Sequence, residues 1–135
     1  MSSAMIQQAG RFAVVGAIGF LVDGGILTLL HSLFDFSLLH ARLVSFSAAV
    51  SVTWYLNRQH TFFESKDVQA VHEWSRYAVV NGIGAGLNLG IFLWLVHRFN
   101  VLASWPIVPL AMAASVALIF NFFASRHFAF RHGQP

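Results

Sequence analysis

The stretch RFAVVGAIGFLVDGGILTLL, residues 11–30, returns as RYAVVNGIGAGLNLGIFLWL, residues 76–95. Arg, Ala, Val, Val, Ile, Gly, Gly, Ile and a closing Leu recur in register, at an offset of 65 from Arg11 to Arg76. Each copy is almost wholly apolar and has the roughly 20 residues a helix needs to cross a bilayer core of about 30 Å. Backbone polar groups cannot be left unpaired against lipid, so such spans must be helical. A looser match follows each copy: NRQHTF from Asn57 against SRHFAF from Ser125, at an offset of 68. The chain therefore reads as two tandem copies of a two-helix unit. Each copy has an even number of spans, so both enter the membrane from the same side. That makes them parallel repeats about an axis along the membrane normal.

Composition agrees with a membrane solvent. Of 135 residues, 57% are hydrophobic and 10% charged, and mean hydropathy is +0.66. A soluble domain is about one quarter charged. The sequence pI of 10.2 does not indicate nucleic acid, because the bases sit singly at the edges of apolar runs and form no stripe. There is no cysteine, which excludes disulfides, thiol catalysis and Cys-based metal sites. Met1–Gly10 has neither the basic region nor the small-residue cleavage site of a signal peptide, so the first run is expected to be a retained span.

The expected fold is an all-α membrane protein with four transmembrane helices, as two parallel tandem repeats of a helical hairpin. The apolar runs are about Phe12–Leu33, Leu43–Leu56, Tyr77–Val96 and, from near Trp105–Pro106, a fourth within Phe99–Ser125. The second is marginal in length. Pro106 and Pro109 suit a first helical turn. Residues 1–135 form one domain, with repeat 1 at about 11–63, repeat 2 at about 76–131 and a polar linker at about 58–75. Residues 34–41 and 98–104 suit tight connections. The linker carries most of the acids (Glu64, Asp67 and Glu73), and Trp54, Tyr55, Trp74 and Tyr77 are placed as interfacial aromatics. Arg11, Arg58, Lys66, Arg76, Arg126 and Arg131 fall on one side, Arg42 and Arg98 on the other. The positive-inside rule then puts both termini and the linker in the cytoplasm.

Asp23 is 12 residues beyond Arg11, about 18 Å along a helix, close to the bilayer middle, where a carboxylate costs about 2.5 kcal/mol or more. Its repeat partner is Asn88. Gly16, Gly19 and Asp23 match Asn81, Gly84 and Asn88, spaced to share a helical face. Each half thus offers a small, polar stripe, either a path for a hydrophilic group or a helix-packing contact of Asp23 with Asn81, Asn88 or a serine. Gly82, Gly86 and Gly90 form a ladder that permits close helix approach, within the chain or between copies. Arg58 and Arg126 close the second and fourth helices beside Asn57 and Asn121. They are either topological anchors or phosphate contacts, since Arg grips phosphate bidentately and keeps its charge. The seven histidines (31, 40, 60, 72, 97, 127 and 132) fall mostly at span ends and form no HExxH or compact metal set. No cofactor, metal or catalytic constellation is expected, and the chain reads as a non-enzyme.

The duplicated R(F/Y)AVV start, Asp23 in the first helix, and the helix-ending YLNRQHTF and NFFASRHFAF resemble the GtrA-like family over about Gly10–His132. GtrA-like proteins are small bacterial membrane proteins of cell-surface polysaccharide synthesis, thought to move polyprenyl-phosphate sugars such as undecaprenyl-phosphate glucose across the inner membrane. A related domain anchors some dolichyl-phosphate mannose synthases. The resemblance implies a flippase in the bacterial inner membrane, with a polyprenyl-phosphate sugar lipid as its partner. It points to Asn57, Arg58, Asn121 and Arg126 as substrate contacts, with Ser125 departing from the asparagine expected beside the second arginine. Asp23, Asn81, Asn88 and Asn121 would line the sugar's path. Two alternatives stand beside it: a non-transporting anchor for a membrane glycosyltransferase, and a small proton-coupled exporter using Asp23. Four helices enclose little volume, so a homo-oligomer among membrane lipids is expected.

Overall fold

The computed structural model describes residues 2–65 and 67–131; Lys66 and His132 lie outside them. Every regular element among the described residues is helical: α1 (Ser3–Thr28), α2 (Leu38–Leu56), α3 (Ala70–Arg98), a short α4 (Asn100–Ser104) and α5 (Ile107–Ala124). Single π-helical turns extend α1 over Leu29–Leu33, α2 over Asn57–Thr61 and α5 over Ser125–Ala129. The helices outrun the apolar runs because polar residues add whole turns at their ends. Ser2 and Ser37 cap α1 and α2 by accepting from the amides of Met5 and His40 (both 3.2 Å), as short hydroxyl side chains do. Pro106 stands at the start of α5, where its missing N–H is not needed. The expected 98–104 connection instead contains α4.

Three helical stretches are long and apolar enough to cross a membrane: Ser3–Leu33, Ala70–Arg98 and Ile107–Ala129. Helix α2 has 19 residues, about 28 Å at 1.5 Å each, but Arg42, three serines and Thr53 dilute its apolarity. Large side chains such as Val14, Leu21, Ile83, Leu89 and Ile119 point outward, a surface lipid can solvate and water cannot.

Helix α1 packs along α2, and α3 along α5. Contacts run from the Asp23–Arg42 pair to Gln8 Nε2 donating to the Thr61 carbonyl (3.1 Å), so α1 and α2 are antiparallel. Their connection turns at Asp35, in the left-handed region (φ 56°), which Asp tolerates better than most residues. The Phe36 amide returns to the Leu30 carbonyl (3.0 Å), a helix-ending bond across the turn.

The two pairs meet at one end in a core of Phe12, Val50, Phe62, Tyr77, Phe122, Ala129 and Phe130. The π turns deliver its centre. Phe62 N donates to the Asn57 carbonyl (2.7 Å) and Phe130 N to the Ser125 carbonyl (2.8 Å), after which the backbone leaves the helix. Phe62 and Phe130 stack at 4.7 Å. Phe12 meets Phe62 edge-on at 6.1 Å and Tyr77 meets Phe130 edge-on at 5.8 Å. Tyr77 is therefore a core residue and not the expected interfacial aromatic, because its hydroxyl finds Asn57 inside.

The linker also departs from expectation. Glu73 is wholly buried and Asp67 nearly so. The Glu73 carboxylate accepts from Arg58 Nη1 (2.8 Å), Trp54 Nε1 (3.0 Å) and the Asp67 amide (2.5 Å). Arg76 Nη2 meets Asp67 Oδ2 at 3.1 Å and the Ala129 carbonyl at 3.0 Å. An acid counted in the polar linker is buried here because three donors meet its charge.

Candidate functional site: a polar cavity between the helix pairs

A cavity of about 420 Å³ opens between the two pairs. Small residues make the room: Gly16, Ala17 and Gly19 on α1, Ala49 on α2, Gly84 and Ala85 on α3, Ala114 and Ala117 on α5. Polar side chains also line it, with Asp23, Asn57, Asn81, Asn88 and Asn121 all on its wall. Five of the seven residues expected from sequence to contact a substrate thus meet in one space. Arg58 and Arg126 do not line it; they lie beyond the aromatic core, with Arg11 and Arg76, at the end where α1 and α3 begin.

Asn57 is 1% exposed and its amide is committed. It donates to the Tyr77 hydroxyl (3.0 Å) and accepts from Thr61 Oγ1 (2.8 Å), tying the two pairs together beneath the cavity. Asn81 Nδ2 donates to the Tyr77 carbonyl (2.9 Å). Asn121 is different: its Oδ1 is buried and has no hydrogen-bond partner among the described residues. A buried acceptor without a donor costs about 1–3 kcal/mol; this one is packed against Gly84, whose missing Cβ leaves it room.

Two close crossings frame the space. A Cβ at Gly19 would collide with Thr53 Cγ2, and one at Gly84 with the Asn121 amide. The expected Gly82, Gly86 and Gly90 ladder has nothing within 4 Å. It faces outward because the 100° step between residues puts Gly84 on the opposite side of α3 from Gly82 and Gly86. Helix packing within the chain uses Gly84.

Asp23 has a partner the sequence reading did not consider. Arg42 Nη1 reaches its Oδ1 at 3.2 Å and Oδ2 at 3.0 Å. Among the described residues, Asn81, Asn88 and the serines do not bond to it. Helix α2 starts at Leu38, ahead of its apolar run from Leu43, so Arg42 is one turn inside the helix, opposite Asp23. At the other end, Arg58 is paired with Glu73 and lies over the Trp54 ring at 5.8 Å. Arg126 Nη1 donates to Gln8 Oε1, and Arg11 Nη1 to the His60 carbonyl (3.2 Å). The arginines at this end therefore tie helix ends together.

The sequence reading missed Phe62, Phe130, Thr53, Arg42 and Glu73. Phe62 and Phe130 share the closing position of the matched NRQHTF and SRHFAF segments, a signal that was present. Glu73 gave none, since burial of a linker acid depends on how the linker folds back.

An all-helical membrane protein with an open cavity between two helix pairs, its apolar wall studded with polar side chains, is the class these observations define. The chain belongs to the GtrA/DPMS transmembrane domain family, which matches residues 11–130. That membership ties it to membrane processes involving polyprenyl-phosphate sugars. Neither the curated proteins nor the solved structures include a match.

Proposed function

We propose that this protein flips a polyprenyl-phosphate-linked monosaccharide across the bacterial inner membrane, for synthesis or modification of cell-surface polysaccharide. The observation that carries this reading is the cavity lined by Asp23, Asn81, Asn88 and Asn121, in a chain whose outer surface is apolar. Its volume falls in the range of small-molecule pockets, about 300–1,000 Å³. The sugar hydroxyls would exchange water for the amides, while the prenyl tail stays in lipid. Without such a lining, taking the phosphate charge and the hydroxyls through hydrocarbon costs many kcal/mol. No bond is made or broken, so the role is not catalytic.

In this reading α2 also crosses the membrane, giving four spans in two parallel repeats with both termini cytoplasmic. Support comes from pairs that obey the sequence offsets. Gly19 against Thr53 corresponds to Gly84 against Asn121, and Phe12 on Phe62 to Tyr77 on Phe130. The aromatic core then closes the cavity toward the cytoplasm and has to part for the headgroup to enter. Arg58 and Arg126 flank that closure, and the phosphate would meet them first. Arg58 would keep Glu73 as counter-ion until the phosphate arrives. The open Gly82–Gly86–Gly90 face is assigned to a second copy of the chain.

Anchoring a glycosyltransferase is the second reading, favoured by the family description, which joins GtrA to DPMS. Proton-coupled export is disfavoured, because Arg42 already meets the Asp23 charge.

Lipid mass spectrometry on protein extracted with its native bilayer tests the proposal. Wild type should carry a polyprenyl-phosphate sugar that an Asn88→Leu, Asn121→Leu variant loses. Equal lipid in both, or a co-purifying glycosyltransferase without the lipid, would overturn it.

A further inference from the structure

At the cavity end remote from the aromatic core, Asp23 and Arg42 form an ion pair unlike those at the opposite end. Arg58 and Arg76 are 17% and 15% exposed, whereas the Arg42 side chain is 48% exposed. Only its Nη1 is engaged, by both oxygens of Asp23. A guanidinium carries five N–H donors in a planar fork. Nε and Nη2 of Arg42 donate to nothing among the described residues. Asp23 is on the cavity wall and Arg42 is not, so the guanidinium stands beside that wall, held to it through Asp23. The opposite end is separated by 16 residues of chain from Arg42 to Arg58, about 24 Å at helical rise.

We propose that Arg42 is a second phosphate-binding station, taking the phosphodiester of the lipid-linked sugar at the far end of the cavity, with Asp23 as the counter-ion the phosphate competes against. This rests on the flipping reading. A free guanidinium edge matches two phosphate oxygens. An acid already on Arg42 lowers its affinity for a second anion, which keeps the station from trapping the lipid it must release. The Asp23 carboxylate thus sets how tightly Arg42 holds the phosphate, as well as holding α1 to α2. The same phosphodiester chemistry occurs in bulk glycerophospholipid, and the test separates the two sources.

Purified full-length protein in detergent would be titrated with a short-chain prenyl-phosphate glucose, with and without short-chain phosphatidylglycerol as competitor. Arg42→Gln should weaken binding about tenfold or more, and Arg42→Lys by less, since it keeps the charge and loses the fork. Asp23→Asn should tighten binding, an effect a purely structural ion pair does not produce. Phosphatidylglycerol should not displace the sugar lipid at equal concentration. If Arg42→Gln alone fails to fold, the Arg42→Gln, Asp23→Asn pair should fold and bind more weakly than Asp23→Asn. Wild-type affinity in Arg42→Gln and Asp23→Asn, with loss in Asn88→Leu, Asn121→Leu, would overturn the station while leaving the flipping reading intact. No binding by wild type would overturn both. Equal displacement by phosphatidylglycerol would show a general lipid contact and overturn the proposal.

Discussion

Phe62 and Phe130, at matching positions of the two halves, stack with ring centroids 4.7 Å apart and planes inclined by 15°. Each is brought there by a π turn whose last bond spans five residues. Their neighbours Phe12 and Tyr77 also occupy matching positions, at the offset of 65. The cluster joins the two helix pairs and stands between the cavity and the arginine-bearing end.

Replacing Phe62 or Phe130 by Ala should open that closure. Thermal unfolding in detergent should show a loss of about 3–5 kcal/mol for either, from the contacts and the void left behind. An impermeant thiol reagent applied from the arginine-bearing end should then label an Asn81→Cys reporter faster than in the parent. Unchanged labelling would show that the cluster does not seal the cavity.

The Arg58–Glu73 pair changes how Arg58 is best tested. Arg58→Ala leaves a fully buried carboxylate short of its counter-ion, a situation that costs about 3–5 kcal/mol. The single variant should therefore lose stability as well as any transport. Arg58→Gln combined with Glu73→Gln removes both charges and should recover much of that stability. A double-mutant cycle on unfolding should show coupling of about 1 kcal/mol or more. Additive losses would mean the pair is not formed.

Gly19 and Gly84 lie where helices cross too closely for a Cβ. Gly19→Leu or Gly84→Leu should each destabilise by about 1–3 kcal/mol through overpacking. Gly84→Ala should also force the Asn121 amide to move and lower sugar-lipid binding. Measuring stability and binding together separates the two effects.

A Cβ added at Gly86 meets nothing within 4 Å and Leu is the better helix former, so Gly86→Leu should not lower monomer stability. If the Gly82–Gly86–Gly90 face joins copies through close helix approach, cross-linking in membranes should reveal fewer oligomers in this variant. Identical cross-linking would place any oligomer contact elsewhere.

The helical class and the small, polar stripe were legible because they are periodic: lipid imposes length and apolarity, and Gly16, Gly19 and Asp23 recur as Asn81, Gly84 and Asn88. The spacing put Asp23, Asn81, Asn88 and Asn121 on one cavity. Partner choice was not legible. Asp23 took Arg42 because helix α2 began a turn earlier than its apolar run, under the Ser37 cap. Glu73 turned inward because the linker folded its Asp67 amide, Trp54 and Arg58 around it, a convergence of three separate segments. Which neighbour the glycine ladder faces was not legible either. Residues 82, 86 and 90 share a face, but sequence does not say which face of α3 meets α5.

The most direct test of the central claim is translocation itself. A short-chain prenyl-phosphate glucose would be placed in both leaflets of sealed vesicles containing the purified protein. Its sugar diol would then be oxidised by an impermeant reagent from outside. The account predicts that the inner-leaflet share becomes reactive in wild-type vesicles, and stays protected in empty vesicles and with Asn88→Leu, Asn121→Leu. Protection of the inner share in wild-type vesicles, with the protein folded and inserted, would contradict it.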